Sequence, residues 1–126
     1  MRGYRHVWSE SRPFTFDQSF EFEVAAAGDH RILLVVAHTK HALAKQPLRV
    51  TRTEPGGRRT RREVAVAGCT RITGASTGAR DDCGLDSESE GLLHDGPLAR
   101  GRHRVDIGNL DPVAGKTVTL RLYRKR

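Results

Sequence analysis

Hydrophobic residues along the chain recur mostly at every second position, the period of an extended strand. Phe14, Phe16, Phe20, Phe22 and Val24 share one parity, and Glu21 and Glu23 hold the other. All four phenylalanines are therefore expected on one buried face, with Asp17 marking a turn or bulge. Gly28-Asp29 reads as a turn. The unbroken apolar run from Ile32 to Val36 predicts a strand over His30 to Ala37 that is buried on both faces. Ala42 to Lys45 allow a helical turn before Pro47. Leu48 and Val50 then alternate with Arg49 and Thr51, and Glu54-Pro55-Gly56-Gly57 is a strong turn signal. A returning strand over Arg61 to Ala67, with Val64 and Val66 inward, completes a hairpin. Val105 and Ile107 mark one further strand. In the last, Val118, Leu120 and Leu122 point in while Thr117, Thr119, Arg121 and Tyr123 point out.

Between these segments the stretch from Gly68 to Gly96 is rich in Gly, Ser, Thr and Asp and keeps no sustained period. It reads as a long polar loop, with room for one short strand around Arg71 to Thr73. No segment carries an amphipathic helical pattern. Short alternating strands separated by turn signals predict an all-β fold. The expectation is a single antiparallel β-sandwich over residues 1–126, immunoglobulin-like or jelly-roll-like, of about seven to eight strands with one long loop over 68–96. One internal echo stands out: Gly28-Asp29-His30-Arg31-Ile32 resembles Gly101-Arg102-His103-Arg104-Val105. It reads as two equivalent sandwich corners rather than a duplicated unit.

Charge changes this picture. The 126 residues include 22 Lys+Arg against 15 Asp+Glu, a formal net charge of +7. Only four of the cations are Lys, a bias that a high-GC codon usage also produces. No Lys or Arg occurs between Arg80 and Arg100, where Asp81, Asp82, Asp86, Glu88, Glu90 and Asp95 gather. The chain is an acidic segment on a basic body, an asymmetry able to steer a partner of either sign. No apolar run approaches the roughly 20 residues of a membrane-spanning helix. Cys69 and Cys83 flank the start of the polar stretch. A disulfide between them would close a loop of about 15 residues, worth about 3 kcal/mol in the chain-entropy model, and implies an oxidising compartment.

Several motifs invite chemistry. Gly74-Ala75-Ser76-Thr77-Gly78 matches G-x-S-x-G, but a nucleophile elbow needs a strand–turn–helix in an α/β sheet, so it reads as loop composition. His38 and His41, with His30 as a third ligand, suggest zinc; without a placed carboxylate they read as exposed histidines. The acidic run from Asp81 to Glu90 lacks the EF-hand register for calcium and reads as a solvated loop or as a surface offered to a basic partner. Arg49, Arg52, Arg58, Arg59, Arg61 and Arg62 bracket the predicted hairpin, and a basic β-ribbon can track phosphates. No aromatic residue stands between Phe22 and Tyr123 to stack on bases. Arginines on a strand edge also block unwanted pairing with no ligand at all. For sugars, only Tyr4, Trp8 and Tyr123 offer a platform.

The pieces Ala67-Gly68-Cys69, Leu98 to Leu110, Gly115 to Leu120, Phe20 to Val24 and Gly28 to Ile32 together resemble small exported β-sandwich proteins of Gram-negative bacteria, of unknown function, some of which are immunity-protein-like and occur beside genes for secreted antibacterial toxins. His30 and His103 stand where those proteins usually have Tyr, and no functional residue carries over. The resemblance implies a periplasmic or secreted protein, although Met1 to Arg5 are not followed by the apolar segment of an export signal. The resulting expectation is a non-enzymatic domain that binds a protein partner, in the specific form of an immunity protein blocking a toxin. Its contact residues would be Asp81, Asp82, Asp86, Glu88 and Glu90 on one side and Arg58, Arg59, Arg61 and Arg62 on the other. No metal or cofactor is expected. A carbohydrate-binding accessory domain and a basic nucleic-acid binder are the alternatives.

Overall fold

The computed structural model describes residues 2–13, 15, 17–38, 47–65, 67–71, 87–108 and 115–126. Its organising feature is the turn that the sequence Glu54-Pro55-Gly56-Gly57 encodes. The Gly57 N–H donates to the Glu54 carbonyl at 2.8 Å, and the Glu54 N–H donates to the Arg58 carbonyl at 2.9 Å. Gly57 sits at φ +89°, which costs a residue without Cβ nothing. Pro55 presets its own φ at the second turn position.

Counting outward from this turn, each strand before it pairs antiparallel with one after it. β4 (Pro47–Thr53) and β5 (Arg59–Ala65) pair from Thr53↔Arg59 to Pro47↔Ala65. β3 (Gly28–His38) and β7 (Ser87–Leu98) pair from His38↔Ser87 to Gly28↔Leu98. β2 (Gln18–Val24) and β8 (Gly101–Gly108) pair from Val24↔Gly101 to Gln18↔Ile107. β1 (Tyr4–Pro13) and β9 (Gly115–Lys125) close the series from Pro13↔Thr117 to Tyr4↔Lys125. The chain is one long hairpin rolled up. Rolling makes a five-stranded sheet, β1-β9-β3-β7-β6, with the short edge strand β6 (Ala67–Arg71), and a four-stranded sheet, β2-β8-β4-β5. The strand order is that of a jelly roll with β6 added beside β7.

The sequence echo marks the places where this long hairpin crosses between sheets. Residues 25–27 carry the chain from β2 to β3, and 99–100 carry it from β7 to β8, side by side because β2 pairs β8 and β3 pairs β7. After each crossing a glycine starts the strand and a histidine two positions on turns inward. Both rings are buried. His30 Nδ1 donates to the Gly28 carbonyl and His103 Nε2 to the Ala99 carbonyl, each at 2.7 Å. His103 also stacks on Phe22 at a centroid distance of 5.5 Å. The expectation of exposed histidines is therefore corrected for His30. A buried imidazole here satisfies a carbonyl that the bend would strand inside the protein. Gly101, at φ +125°, lies so close to the hairpin turn that a Cβ would meet Pro55 at 3.0 Å.

The core lies between the sheets and follows the predicted alternation. Phe20, Phe22 and Val24 of β2, Leu48 and Val50 of β4, and Val105 and Ile107 of β8 face Ile32, Leu34 and Val36 of β3 and Val118, Leu120 and Leu122 of β9. β3 is buried on its outer face as well, at Leu33 and Val35, because it runs between β9 and β7. Phe14, Phe16 and residues 39–46 lie outside the described residues.

Two elements depart from expectation. The loop expected over 68–96 contains β6 and the twelve-residue β7. Alternation is hidden in β7 because a bulge interrupts it: Ile32 faces His94 and Leu33 faces Leu92, so Leu93 is extra and enters the core. β1 was not foreseen because its inward positions are Trp8, Glu10 and Arg12, which show no apolar period, and its register shifts between His6 and Trp8.

Truncation should report this architecture. Leu34→Ala, on the inward face of β3, should lower unfolding free energy in urea by about 2–5 kcal/mol. Leu92→Ala, 43% exposed on the opposite face of β7, should change it by less than about 0.5 kcal/mol.

Candidate functional site

A two-layer sandwich leaves two open flanks, and here an arginine from one sheet reaches the backbone of the other at each. On one flank Arg12 of β1 donates to the Ser19 carbonyl of β2, is held by Glu10 at 2.9 Å, and lies 4.6 Å from the centre of the Phe20 ring. On the other flank Arg62 of β5 donates to the carbonyls of Leu92 and Leu93 at 2.8 and 2.7 Å. β6 pairs β7 only as far as Ala67↔Glu90. Beyond that point β7 is an edge, and Arg62 satisfies the carbonyls its bulge exposes.

The β4–β5 hairpin thus presents arginines on two faces. Val50, Arg62, Arg52 and Thr60 share the inward parity, since Val50 pairs Arg62 and Arg52 pairs Thr60. Arg49, Thr51, Thr53, Arg59, Arg61 and Glu63 share the outward one. The outer face of the four-stranded sheet reads across in rows. Arg61, Thr51, Asp106 and Ser19 form one row; Arg59, Thr53, Arg104 and Glu21 form the next. Arg104 binds Asp106 at 3.0 Å, and Arg102 binds Glu23 and Glu21 at 3.2 and 3.6 Å. Arg49, Arg59 and Arg61 are exposed and have no ion-pair partner among the described residues. The face is mostly basic along β4 and β5, with Glu63 opposite Arg49, and shifts to paired or acidic groups along β2.

On the inward side, Arg52, Thr60 and Arg62 meet Leu93 and His94 across the gap between the sheets. With Val50 they line a cleft of about 100 Å³. No carboxylate lines it. Burial pushes the Arg52 guanidinium below its ordinary pKa; Glu54 opposes this, and Arg62 and Arg58 add to it. Burial likewise lowers His94, helped by Arg52 and Arg62 and opposed by backbone groups of Gly96 and Pro97. Arg52 Nη1 and His94 Nε2 are buried and have no hydrogen-bond partner among the described residues.

The sequence-derived contact residues separate in space. Arg59 and Arg61 lie on the outer basic face. Arg58 sits at the turn and pairs with Glu54 at 3.7 Å. Arg62 faces inward and is engaged with β7. Glu90 is exposed on β7, paired across the register with Val35 on the outer face of the five-stranded sheet. Glu88 is also a β7 residue. Asp81, Asp82, Asp86, Cys83, Ser76 and His41 lie outside the described residues, and Cys69 is a residue of β6. Of these, Arg59 and Arg61 lie on the outer face of one sheet and Glu90 on the outer face of the other.

Other sequence readings meet geometry as well. His30 and His38 lie at opposite ends of β3, about 26 Å apart at the rise of an extended strand, so they cannot share a metal. Among the described residues no group of three or more His, Cys, Asp and Glu could hold one. Tyr4 and Trp8 face opposite sides of β1. Trp8 packs on Phe22 at 5.2 Å, and Tyr4 lies under the Arg31 guanidinium at 4.1 Å. Tyr4 and Trp8 therefore share no platform, whereas Tyr123 lies on the same outer face as Tyr4. The inward cleft was missed in the sequence because Arg52, Arg62 and His94 are distant in the chain and only the bulge brings His94 inward. No described helix is long and apolar enough to cross a membrane.

Arg62→Met keeps the stem and removes the donors. It should cost about 0.5–1.5 kcal/mol by removing bonds to two carbonyls, one of them open to water, whereas Arg61→Met should cost less than about 0.5 kcal/mol; urea unfolding of both reads the difference.

No protein-family profile matches this chain, and no curated protein matches it. Among solved structures, a chain of "Structure of infectious bursal disease virus Gt strain" is similar at 18% identity and a TM-score of 0.26, over 98% of this chain and 36% of that one. The present chain thus spans about a third of that chain's length, and a likeness at this score carries no argument about fold or function.

Proposed function

We propose that this protein is a non-enzymatic interaction domain that docks an acidic protein surface onto the outer face of its four-stranded sheet. The observation that supports this reading is the set of exposed cations at Arg49, Arg59 and Arg61, which have no ion-pair partner among the described residues, beside Thr51 and Thr53 on a regular sheet. Neighbouring Arg102 and Arg104, by contrast, are already paired. Such a graded face orients a partner: acid is attracted to β4 and β5 and repelled from Glu21 and Glu23 of β2. Charge complementarity of this kind raises association rates and rejects wrong partners more than it deepens affinity. A protein partner is favoured over nucleic acid because this outer face has no aromatic side chain for base stacking and its β2 side would repel phosphates. The acidic determinant, with Glu90 on the other sheet, acts as a separate surface.

The working compartment is proposed to be periplasmic or extracellular, with a Cys69–Cys83 disulfide stapling the segment that follows β6. The immunity role, in which the docked protein is a secreted toxin and occlusion is the mechanism, is the specific form of this reading that the resemblance suggests.

The docking reading is tested by capture from extracts of the source organism, comparing the wild-type chain with Arg49→Glu/Arg59→Glu/Arg61→Glu and with Glu21→Gln/Glu23→Gln. The arginine reversal should lose the captured protein by about tenfold or more, and the glutamine pair should retain it. Equal capture by wild type and the arginine reversal excludes this face. Retention of a DNA or RNA oligonucleotide, with affinity falling steeply as salt rises, favours the nucleic-acid alternative instead. The compartment reading is tested by a thiol count on unreduced protein: none should titrate, and two reactive thiols would contradict it.

A further inference from the structure

The cleft on the inward face of the β4–β5 hairpin is unlike the rest of the interior. Most of the space between the sheets is filled by aliphatic and aromatic side chains. Here two guanidinium groups and an imidazole converge on about 100 Å³, room for about three waters or one small ion. Arg62 has part of its donor set committed to the Leu92 and Leu93 carbonyls, which fixes its position. Arg52 Nη1 and His94 Nε2 have no partner among the described residues although both atoms are buried. Buried donors in a native fold are almost always satisfied, and a charged one left bare is the costliest kind. Thr60 adds a hydroxyl to the lining, and no carboxylate is among its described residues, Glu54 acting on Arg52 from outside it.

We propose that the cleft formed by Arg52, Thr60, Arg62 and His94 is a binding site for a tetrahedral oxyanion of phosphate or sulfate size. Donors arriving from β4, β5 and β7 suit an acceptor whose oxygens point in several directions. A planar carboxylate would match one guanidinium edge and leave the remaining donors unserved. The small volume, open to solvent beside the exposed Thr60 and Arg62, suits the ion itself or the terminal group of a larger ligand. Its role would be to join the two sheets at the flank where β7 has lost its strand neighbour. The site is distinct from the outer basic face, since Arg52 and Arg62 have the opposite parity to Arg59 and Arg61.

Sulfate is the probe of choice because its own charge is constant over the useful pH range. It should be titrated at fixed ionic strength with chloride as the balancing ion. Melting temperature and the ring resonances of His94 should be followed together. The wild-type chain should show a saturable rise in melting temperature and a saturable His94 shift. Arg52→Gln should weaken both by about tenfold or more, while Arg59→Gln/Arg61→Gln should leave them unchanged. The groups facing His94 are Arg52 and Arg62, with Glu54 and Arg58 acting on Arg52. A bound anion favours the protonated ring, so sulfate affinity should rise as pH falls through the His94 titration. His94→Gln, which cannot gain a proton, should abolish that rise. Should Arg52→Gln fail to fold, the His94 ring shift in the wild-type chain and the melting response of His94→Gln to sulfate still decide. The proposal is overturned by the absence of any saturable response, by loss of the response in Arg59→Gln/Arg61→Gln, or by acetate binding as tightly as sulfate. Loss of the sulfate response in Arg52→Gln, with capture of the docking partner intact, separates this site from the outer face.

Discussion

Everything in this fold depends on pairing counted from one turn. Once Glu54 to Arg58 close, each further pairing joins residues more distant in the chain, until the Arg126 N–H reaches the Gly3 carbonyl at 2.9 Å. A rolled hairpin of this kind is built almost wholly from non-local contacts, which delay the return on the chain entropy spent in closing each loop. The turn sequence is correspondingly strict, with a proline and a glycine at positive φ. The two crossings between sheets are also matched: each has a glycine, a bend, and a buried histidine bonded to a nearby carbonyl. That the crossings lie side by side explains why two separated pentapeptides read alike.

Rolling a hairpin leaves flanks that neither sheet covers, and the molecule closes them with side chains. Arg12 and Arg62 each carry a charge to the inward side of a sheet and spend it on carbonyls of the other layer. Their apolar stems cover the core while their heads stay at the rim. The same device sets the electrostatics of the candidate sites. Alternation along the β4–β5 hairpin sends Arg52 and Arg62 inward to a cleft and Arg49, Arg59 and Arg61 outward to solvent. One arginine-rich stretch of sequence therefore has two different tasks.

Most of the core was legible because Phe20, Phe22, Val24, Val105, Ile107, Val118, Leu120 and Leu122 keep a strict period of two. The hairpin was legible because Pro and Gly mark its turn. β1 and β7 were not, for physical reasons of one type. In β1 the inward row is Trp8, Glu10 and Arg12, so charge stands where a pattern search seeks carbon. In β7 the bulge at Leu93 breaks the period and glycine replaces a core side chain at Gly91. Arginine parity was available in the sequence, since Arg52 and Arg62 alternate with Arg59 and Arg61 on either side of the turn. The partner for the inward pair was not, because His94 is displaced onto that face only by the bulge.

The central functional claim is that an acidic protein covers the outer face of the four-stranded sheet. Arginine-selective labelling with phenylglyoxal, read by mass spectrometry with and without the captured partner, tests it at the level of single residues. The account predicts that Arg49, Arg59 and Arg61 lose reactivity in the complex while exposed Arg5, Arg124 and Arg126 on the other sheet keep theirs. Protection confined to Arg5, Arg124 and Arg126, with Arg49, Arg59 and Arg61 still reactive, would contradict it.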